Sequence, residues 1–295
     1  MKTNSSAPTS YIALKEGRRL GFAEYGDKNG FPILFFHGLP GSRFEAGKLH
    51  LAALKVQVRL IGLDRPGMGL SSPQKNRTLL DWPEDIKEFA TVLNLENLSI
   101  IGHSGGAPYV AACAYRIPEK LHKAVIVSGM APLTHPKAIS SLSKSQKQMT
   151  WMIRYFPMIL KFMMKMSCKS LENPNQLRKM LKQLPEVDAK IFENSDNKKS
   201  MVLSLKEAFR QNTSGVVEDF KLLLKPWGFD LEEIQCPFVV WQGGNDKQAP
   251  VKHAEIYAQQ IPEAEYVLLE KEGHISLLYN YGEQILISAL QGSIS

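Results

Sequence analysis

A serine flanked by glycines follows a short apolar run near residue 100. The stretch IIGHSGG (100–106) fits the pattern G-x-S-x-G, with a strand-like run before it and a helix-like run, 107–116, after it. In this pattern the serine sits on a sharp strand-to-helix turn, and the positions two before and two after it must be small. The pattern therefore predicts a nucleophilic Ser104, with Gly102 and Gly106 allowing the close approach. An ordinary solvated turn is the alternative.

A nucleophilic serine needs a general base and a group that orients this base. On such a turn the expected chain order is serine, acid, histidine. Asp246 follows the strand-like run FVVWQGG, and His274 follows the last such run, YVLLEKEG. Each lies at the carboxyl end of a predicted strand, the edge at which open α/β sheets bind ligands. We therefore predict that Asp246 and His274 act together with Ser104.

A negative oxygen that develops during such an attack needs N–H donors. Gly105, the residue after the serine, is expected to supply one of them. The other should come from the loop HGLPGS (37–42) that follows the third predicted strand. Pro40 has no N–H group, so we predict that Leu39 is the second donor.

Two histidines close to this chemistry are predicted to be structural. His37 precedes Ser104 in the chain and breaks the expected order, whereas His103 is adjacent to the serine, and neighbouring residues rarely point at one target. Together with Gly38 they are predicted to shape the loop and the turn.

The elements that position these residues alternate along the chain. Strands are predicted over 11–14, 20–25, 33–37, 58–63, 98–101, 124–127, 238–241 and 266–269, and helices over 85–93, 107–116 and 253–260. The inner strands are nearly continuous apolar runs, which is typical of parallel strands covered on both faces. The pattern predicts an α/β fold with a mostly parallel eight-stranded sheet and helices on both faces. The first two strands are close enough in sequence to form an antiparallel edge.

The strand pattern disappears between residues 131 and 225. Lysine-, methionine- and leucine-rich helical stretches replace it, and Pro157 should break one of them. Three interpretations are open for the amphipathic stretch around 149–166. It packs on the body of the protein, its six methionines form an adaptable wall over a pocket, or it lies on a membrane surface.

Charge is concentrated in the same segment. Residues 131–225 contain 17 Lys and Arg against 8 Asp and Glu, whereas the whole chain has a net charge of +7. No recognisable nucleic-acid motif accompanies this excess, so a solvated helical surface is the favoured interpretation and no nucleic-acid partner is predicted. Acidic substrates or partners would be attracted to it.

The composition of the 295-residue chain is that of a globular protein, with 44% hydrophobic residues. Three cysteines without C-x-x-C spacing predict neither a disulfide framework nor a metal site, and no cofactor is predicted. The polar N-terminus has no apolar signal-like stretch, and no apolar run is long enough to span a membrane. We therefore expect a cytoplasmic protein.

Taken together, the motifs resemble those of the α/β-hydrolase fold family, in its branch of small enzymes with a helical cap. HGLPGS, LDRPGMGLSS (63–72), GHSGG, the run 230–250 and EGH (272–274) appear in the family's order. The resemblance implies a core formed by 1–130 and 226–295, a cap formed by 131–225, and the site residues named above. Many family members carry a larger residue at the position of Gly105, so extra room is expected beside the nucleophile.

The expected activity is hydrolysis of a small carboxylic ester through an acyl-enzyme at Ser104. Family members also break C–C and amide bonds with the same residues, and these reactions are alternatives. A non-enzymatic small-molecule sensor on the same fold is another. A small-molecule substrate, favoured if anionic, is expected in each case, and the oligomeric state is left open.

Overall fold

Eight strands form a single sheet. The computed structural model describes residues 9–170 and 173–291, so the polar sequence 1–8 lies outside the described residues. The strands follow the order β1-β2-β4-β3-β5-β6-β7-β8 across the sheet. Their bounds are β1 (Thr9–Ala13), β2 (Arg19–Gly26), β3 (Phe31–Phe36), β4 (Val58–Leu63), β5 (Leu98–His103), β6 (Leu121–Val127), β7 (Phe238–Gly243) and β8 (Glu265–Leu269).

The predicted mostly parallel sheet is confirmed. Strands β4, β3, β5, β6, β7 and β8 run parallel, and β2 pairs antiparallel with both β1 and β4. All eight strands lie where the sequence predicts them, with ends that differ by a few residues. The hairpin between β1 and β2 turns at Gly17, whose φ of +77° lies in the left-handed region that favours glycine.

Thirteen helices occur in the described part of the chain. They are α1 (His50–Lys55), α2 (Asp81–Val92), α3 (Ala107–Arg116), α4 (Pro136–Ser141), α5 (Lys144–Tyr155), α6 (Pro157–Ser170), α7 (Pro174–Leu181), α8 (Glu186–Ile191), α9 (Ser195–Ala208), α10 (Ser214–Leu223), α11 (Val251–Gln260), α12 (Ser276–Asn280) and α13 (Gly282–Ser288). A 3-10 segment, Arg43–Leu49, precedes α1.

Helices cover both faces of the sheet. Alternate residues of a strand point to opposite faces, so Leu34 and Phe36 of β3 face one side, where α2, α3 and α11 pack. Ile33 and Phe35 face the other side, where α1, α12 and α13 pack. The inner strands are therefore covered on both faces, which explains why runs such as ILFF in β3 and AVIV in β6 show continuous rather than alternating hydrophobicity.

Helices α4–α10 lie between β6 and β7 in sequence, and we call them the helical insertion. They pack over the carboxyl edge of the sheet, because Asp188, Glu207 and Asp219 contact loops that follow β8, β3 and β4. Pro157 separates α5 from α6, as predicted from its lack of an N–H donor. Among the described residues, no helix is both long and apolar enough to cross a membrane.

Candidate active site

Ser104 lies at the sharp turn between β5 and α3. Its φ is +54°, an uncommon value for a residue with a side chain. The turn is tight enough to exclude side chains on both sides of the serine. A Cβ on Gly102 would lie 2.7 Å from the carbonyl oxygen of Gly106, and one on Gly106 would overlap the carbonyl oxygen of Phe36. The two flanking glycines therefore allow the strand, the helix and β3 to meet at this point.

Gly105 does not open space beside the serine, so the expectation of extra room is wrong. A Cβ at this position would lie 2.6 Å from the Cβ of Leu39, far closer than two carbon atoms can approach. The side chain of Leu39 already occupies the region that a larger residue would fill. Gly105 is thus required by the close packing of the turn against the loop after β3.

His274 and Asp246 form a buried pair in the two loops that follow β8 and β7. The Nδ1 of His274 lies 2.7 Å from Oδ2 of Asp246. The other carboxylate oxygen, Oδ1, accepts the N–H groups of Gln248 and Ala249, each at 2.8 Å. This carboxylate fixes the ring with Nδ1 as the donor, which leaves Nε2 as the nitrogen that can accept a proton.

Burial and the interactions within this pair shift the pKa values of His274 and Asp246 in opposite directions. Burial alone would lower the pKa of His274, but the charge and hydrogen bond of Asp246, together with the charges of Asp188 and Glu45, outweigh it and raise the pKa above its usual 6.5. For Asp246, burial would raise the pKa, but His274 and the two backbone N–H groups lower it. Asp246 therefore stays ionised, and His274 binds a proton more readily than an isolated imidazole.

The sequence-predicted residues meet at one edge of the sheet. The ring of His274 lies beside that of His103, with centroids 4.9 Å apart, and His103 immediately precedes Ser104. In the described part of the chain, the Ser104 hydroxyl forms no direct hydrogen bond with the His274 ring.

The loop after β3 brings a second backbone N–H group to the turn. The nitrogen of Leu39 lies 3.4 Å from the point where a Gly105 Cβ would be, so the two backbones are in contact. Within the described ranges, the N–H of Leu39 donates to no acceptor. Gly38, in contrast, donates its N–H to Oε2 of Glu45 at 2.7 Å.

Glu45 connects this loop to the turn. Its Oε1 lies 2.8 Å from Nδ1 of His103 and 3.1 Å from Nζ of Lys48. Burial would raise the pKa of Glu45, but Lys48 and His103 lower it well below its usual value. Nothing in the sequence around Glu45 marks it, because its contacts depend on tertiary packing.

His103 bridges Glu45 and the loop of His274. Its Nε2 lies 3.0 Å from the carbonyl oxygen of His274, while Nδ1 faces the carboxylate of Glu45. Through these two contacts His103 links the loop after β3 to the loop that carries His274.

His37 is buried and contacts its neighbour Gly38 and the loop after β4. Its Nδ1 donates to the carbonyl of Gly38 at 2.7 Å, and its Nε2 accepts the N–H of Arg65 at 3.3 Å. Burial, and then the charge of Arg65, lowers the pKa of His37 to about 3. The ring is therefore neutral near pH 7.

Asp188 of α8 binds the loop that carries His274. Its Oδ2 accepts the N–H of His274 at 3.1 Å, and its Oδ1 accepts those of Ile275 at 2.9 Å and Ser276 at 2.8 Å. Ser276 is the first residue of α12 and Ile275 is its N-cap residue, whose side chain does not cap the helix. In sequence Asp188 sits in the ordinary helical stretch PEVDAK, and nothing there marks it.

A buried ionic cluster joins α10 of the insertion to the core. Asp219 accepts from Arg65 at 2.5 Å, from Tyr109 at 2.7 Å and from Arg77. Burial would raise the pKa of Asp219, but Arg65 and Arg77 lower it to about 2. Arg65 also donates to the carbonyl oxygens of His37 and Gly38, so this cluster supports the loop after β3.

Metal binding has no obvious site here. The described residues contain no group of three or more histidine, cysteine or carboxylate side chains placed to hold an ion.

A sequence profile of the alpha/beta hydrolase fold matches residues 32–281, most of the chain. The chain belongs to the α/β-hydrolase family. Among curated relatives of this α/β hydrolase, the proline iminopeptidase of Heyndrickxia coagulans is 26% identical over 287 residues, 92% of this chain and 94% of that protein. The non-heme chloroperoxidase of Streptomyces lividans is 30% identical over 124 residues. That alignment covers 41% of this chain and less than half, 45%, of the chloroperoxidase.

Solved structures share the fold of this α/β hydrolase. An esterase from Exiguobacterium antarcticum matches with a TM-score of 0.69 and 17% identity, over 96% of this chain and 99% of that one. The carboxylesterase CesB of Bacillus subtilis matches with a TM-score of 0.63 and 18% identity, over 99% of this chain and 94% of that one. At 17% and 18% identity, the similarity to these two structures shows a shared fold and does not extend to the activity.

Proposed function

We propose that this α/β hydrolase cleaves a small carboxylic ester through an acyl-enzyme at Ser104. The observation that carries the proposal is the buried Asp246–His274 pair at the same sheet edge as the strained Ser104. A serine, an imidazole and a buried carboxylate in these positions are the groups that nucleophilic acyl transfer requires.

In the first half of the reaction, Oγ of Ser104 attacks the ester carbonyl and its proton passes to Nε2 of His274. The carbonyl oxygen becomes an oxyanion, which the N–H groups of Leu39 and Gly105 stabilise. His274 then gives its proton to the leaving alcohol, and the acyl group remains on Ser104. This transfer requires a hydrogen bond from the Ser104 hydroxyl to Nε2 of His274, and catalytic hydrogen bonds of this kind commonly form only when substrate is bound.

In the second half, water attacks the acyl group while Nε2 of His274 takes its proton. Collapse of the second oxyanion releases the carboxylic acid and returns the proton to Oγ of Ser104. Asp246 holds the ring in the required tautomer throughout and stabilises the imidazolium that forms twice.

We assign the helical insertion, residues 131–225, the role of a cap on a core formed by 1–130 and 226–295. The contacts of Asp188, Glu207 and Asp219 with loops at the carboxyl edge support this assignment. A cap in this position would bound the space beside Ser104 and select the substrate.

The experiment is covalent labelling with a fluorophosphonate, followed by a substrate panel. We expect the wild type to label and Ser104→Ala not to label. Ser128→Ala is the matched control, because Ser128 also has a positive φ, +50°, at the end of the adjacent strand β6. Absence of labelling in the wild type, or equal labelling of Ser104→Ala, would refute the nucleophile and favour a non-enzymatic sensor.

The panel separates the bond types. It contains nitrophenyl esters of increasing acyl length, the corresponding anilides, a C–C cleavage substrate and a prolyl amide. The prolyl amide is included because the relative that aligns over almost the whole chain is a proline iminopeptidase. We expect the highest kcat/KM on the esters, and faster turnover of the amide would replace the ester proposal.

A further inference from the structure

Helices α5 and α6 expose a group of large apolar side chains. Met158 is 73% exposed and Phe162 65%, and the large apolar side chains between 43% and 60% exposed on the two helices include Trp151, Tyr155, Ile159 and Met163. We call these six residues the outer apolar surface: Trp151, Tyr155, Met158, Ile159, Phe162 and Met163. Single exposed apolar residues are ordinary, but a contiguous group of this kind marks a surface that contacts something else.

Packing on the protein does not explain this surface, because the same helices bury a different face. Ile153 and Leu160 are almost fully buried and contact Val217 of α10, with Met152 and Met164 beside them. One apolar stripe is enough to attach a surface helix to a protein body. The methionines are accordingly divided, with Met152 and Met164 facing inward and Met158 and Met163 facing outward.

The charge around the outer apolar surface has one sign. Residues 137–166 contain six basic side chains and no Asp or Glu. Five of the six are exposed, and Lys161 is half-buried. None of the six forms an ion pair with any residue that the structure describes. The partner of this surface should therefore be negatively charged as well as apolar.

A second copy of the chain fits this charge poorly. A twofold symmetric contact would place the same patch on both subunits, so that cations face cations. An anionic phospholipid surface fits both properties, since exposed aromatic and aliphatic side chains enter its acyl boundary while lysines bind the headgroups. The 14 residues of α6 span about 21 Å, a suitable length for a helix that lies in the plane of the interface.

We propose that α5 and α6 dock the protein on the surface of an anionic phospholipid bilayer, through the outer apolar surface and the basic residues of 137–166. Docking depends on neither the identity of the bond cleaved nor the nucleophile. Its test measures lipid binding without turnover, so its outcome is separate from that of the ester proposal.

The chain contains its own reporter of docking. Trp151 is 56% exposed, whereas Trp82, Trp227 and Trp241 are all below 10%. Binding to vesicles should therefore shift Trp151 emission to shorter wavelength, and brominated lipids should quench it. We expect this shift, and co-sedimentation of the full chain, with vesicles of phosphatidylcholine containing roughly one quarter phosphatidylglycerol. Both should weaken as salt rises from about 0.05 to about 0.5 M, because salt screens the attraction to the headgroups.

Two variants separate the apolar and the charged contributions. Met158→Ser/Phe162→Ser should reduce partitioning at least about tenfold, because it removes the two most exposed apolar side chains from the interface. Lys161→Gln/Lys165→Gln should also reduce it, by about tenfold at low salt, and should flatten the salt dependence. The matched control is Leu51→Ser/Leu54→Ser on α1, outside the helical insertion. It removes two apolar side chains that are 57% and 45% exposed and should leave partitioning unchanged.

Circular dichroism and thermal unfolding establish that each variant is folded before it is compared. The proposal is overturned if the wild type does not bind, if it binds pure phosphatidylcholine equally well, or if the α1 control loses binding to the same extent. It is also overturned if light scattering shows a dimer that Met158→Ser/Phe162→Ser dissociates, since the surface would then bind a second copy.

Discussion

The carboxylate of Asp188 accepts the backbone N–H of His274 at 3.1 Å, and so the helical insertion holds the loop that carries the proposed base. Two further N–H groups of the same loop bind Asp188 at 2.8 and 2.9 Å. A single side chain from α8 thus accepts three backbone N–H groups at and just before the start of α12, and it places a negative charge beside the proposed site. Its charge is one of those that raise the pKa of His274, after those of Asp246.

Replacing Asp188 by Asn should move the acidic limb of the kcat/KM profile to lower pH. The proposed base acts in its neutral form, so activity falls as pH drops through the pKa of His274, which is raised above 6.5. Removing a nearby negative charge makes protonation of His274 less favourable and lowers that pKa. The amide oxygen of Asn can still accept the N–H groups of Ile275 and Ser276, whereas its NH2 group cannot accept that of His274, so the loop keeps two of its three hydrogen bonds to this residue.

Asp196→Asn, on α9 of the same insertion, is the control for this pH shift. The side chain of Asp196 is 45% exposed, and its one ion pair among the described residues is with Lys199 at 3.3 Å, so its loss should leave the profile unchanged. An unshifted profile in Asp188→Asn would show that Asp188 has no electrostatic effect on the base.

Asp188→Ala should also lower the free energy of unfolding by about 1–3 kcal/mol, because buried N–H groups lose their acceptor.

Gly105→Ala should reduce kcat by about 10²-fold, comparable to the loss of one oxyanion donor. The added Cβ would lie 2.6 Å from the Cβ of Leu39, so Leu39 must move and take its N–H with it. KM should change much less, since the displaced group acts in the transition state. Leu39→Gly removes the obstructing carbon and should restore part of the lost kcat in the double variant. Full activity in Gly105→Ala alone would contradict this account.

His103 and Glu45 should be strongly coupled. His103→Phe and Glu45→Gln each leave a buried group without its partner, and each should lower the free energy of unfolding by about 1–3 kcal/mol. The double variant should lose less than the sum, with a coupling of about 0.5–3 kcal/mol in a double-mutant cycle measured by urea unfolding. Simple additivity would mean that the two side chains do not interact.

Asp219→Asn should destabilise the protein by about 3–5 kcal/mol, because it leaves the buried Arg65 and Arg77 without their counter-charge. The pKa of Asp219 is lowered from its usual 3.8 to about 2, so its stabilising effect is complete above the unfolded value. It is lost as pH falls through the folded value. Urea unfolding between about pH 2 and 5 should therefore show a weaker pH dependence in Asp219→Asn than in the wild type. An identical pH dependence would exclude Asp219 from the acid response.

The sequence predicts the sheet well because the signals for it are local. The runs that form β3, β5 and β7 are continuous and apolar, and turn residues bound them, so strand positions follow from composition and period. The same holds for Ser104, whose glycines reflect a steric requirement within a few residues.

The polar contacts that support the site could not be predicted in this way, because their partners are distant in sequence. Glu45 is 58 residues from His103, Asp188 is 86 from His274, and Asp219 is 154 from Arg65. The wrong expectation about Gly105 has the same origin. The missing side chain of Gly105 suggests empty space beside Ser104, but tertiary packing brings the side chain of Leu39 into that space.

Helix α10 divides the insertion into two layers. Asp219 on this helix is held by the ionic cluster of the core, while Val217 on the same helix contacts α5 and α6. The exposed side chains of α5 and α6 are therefore separated from the Asp219 cluster by α10, whereas Gln146 of α5 donates to the carbonyl of Gln248 in the loop of Asp246. Over evolutionary time, such an arrangement lets selection change what the protein associates with while the residues proposed for bond cleavage stay fixed.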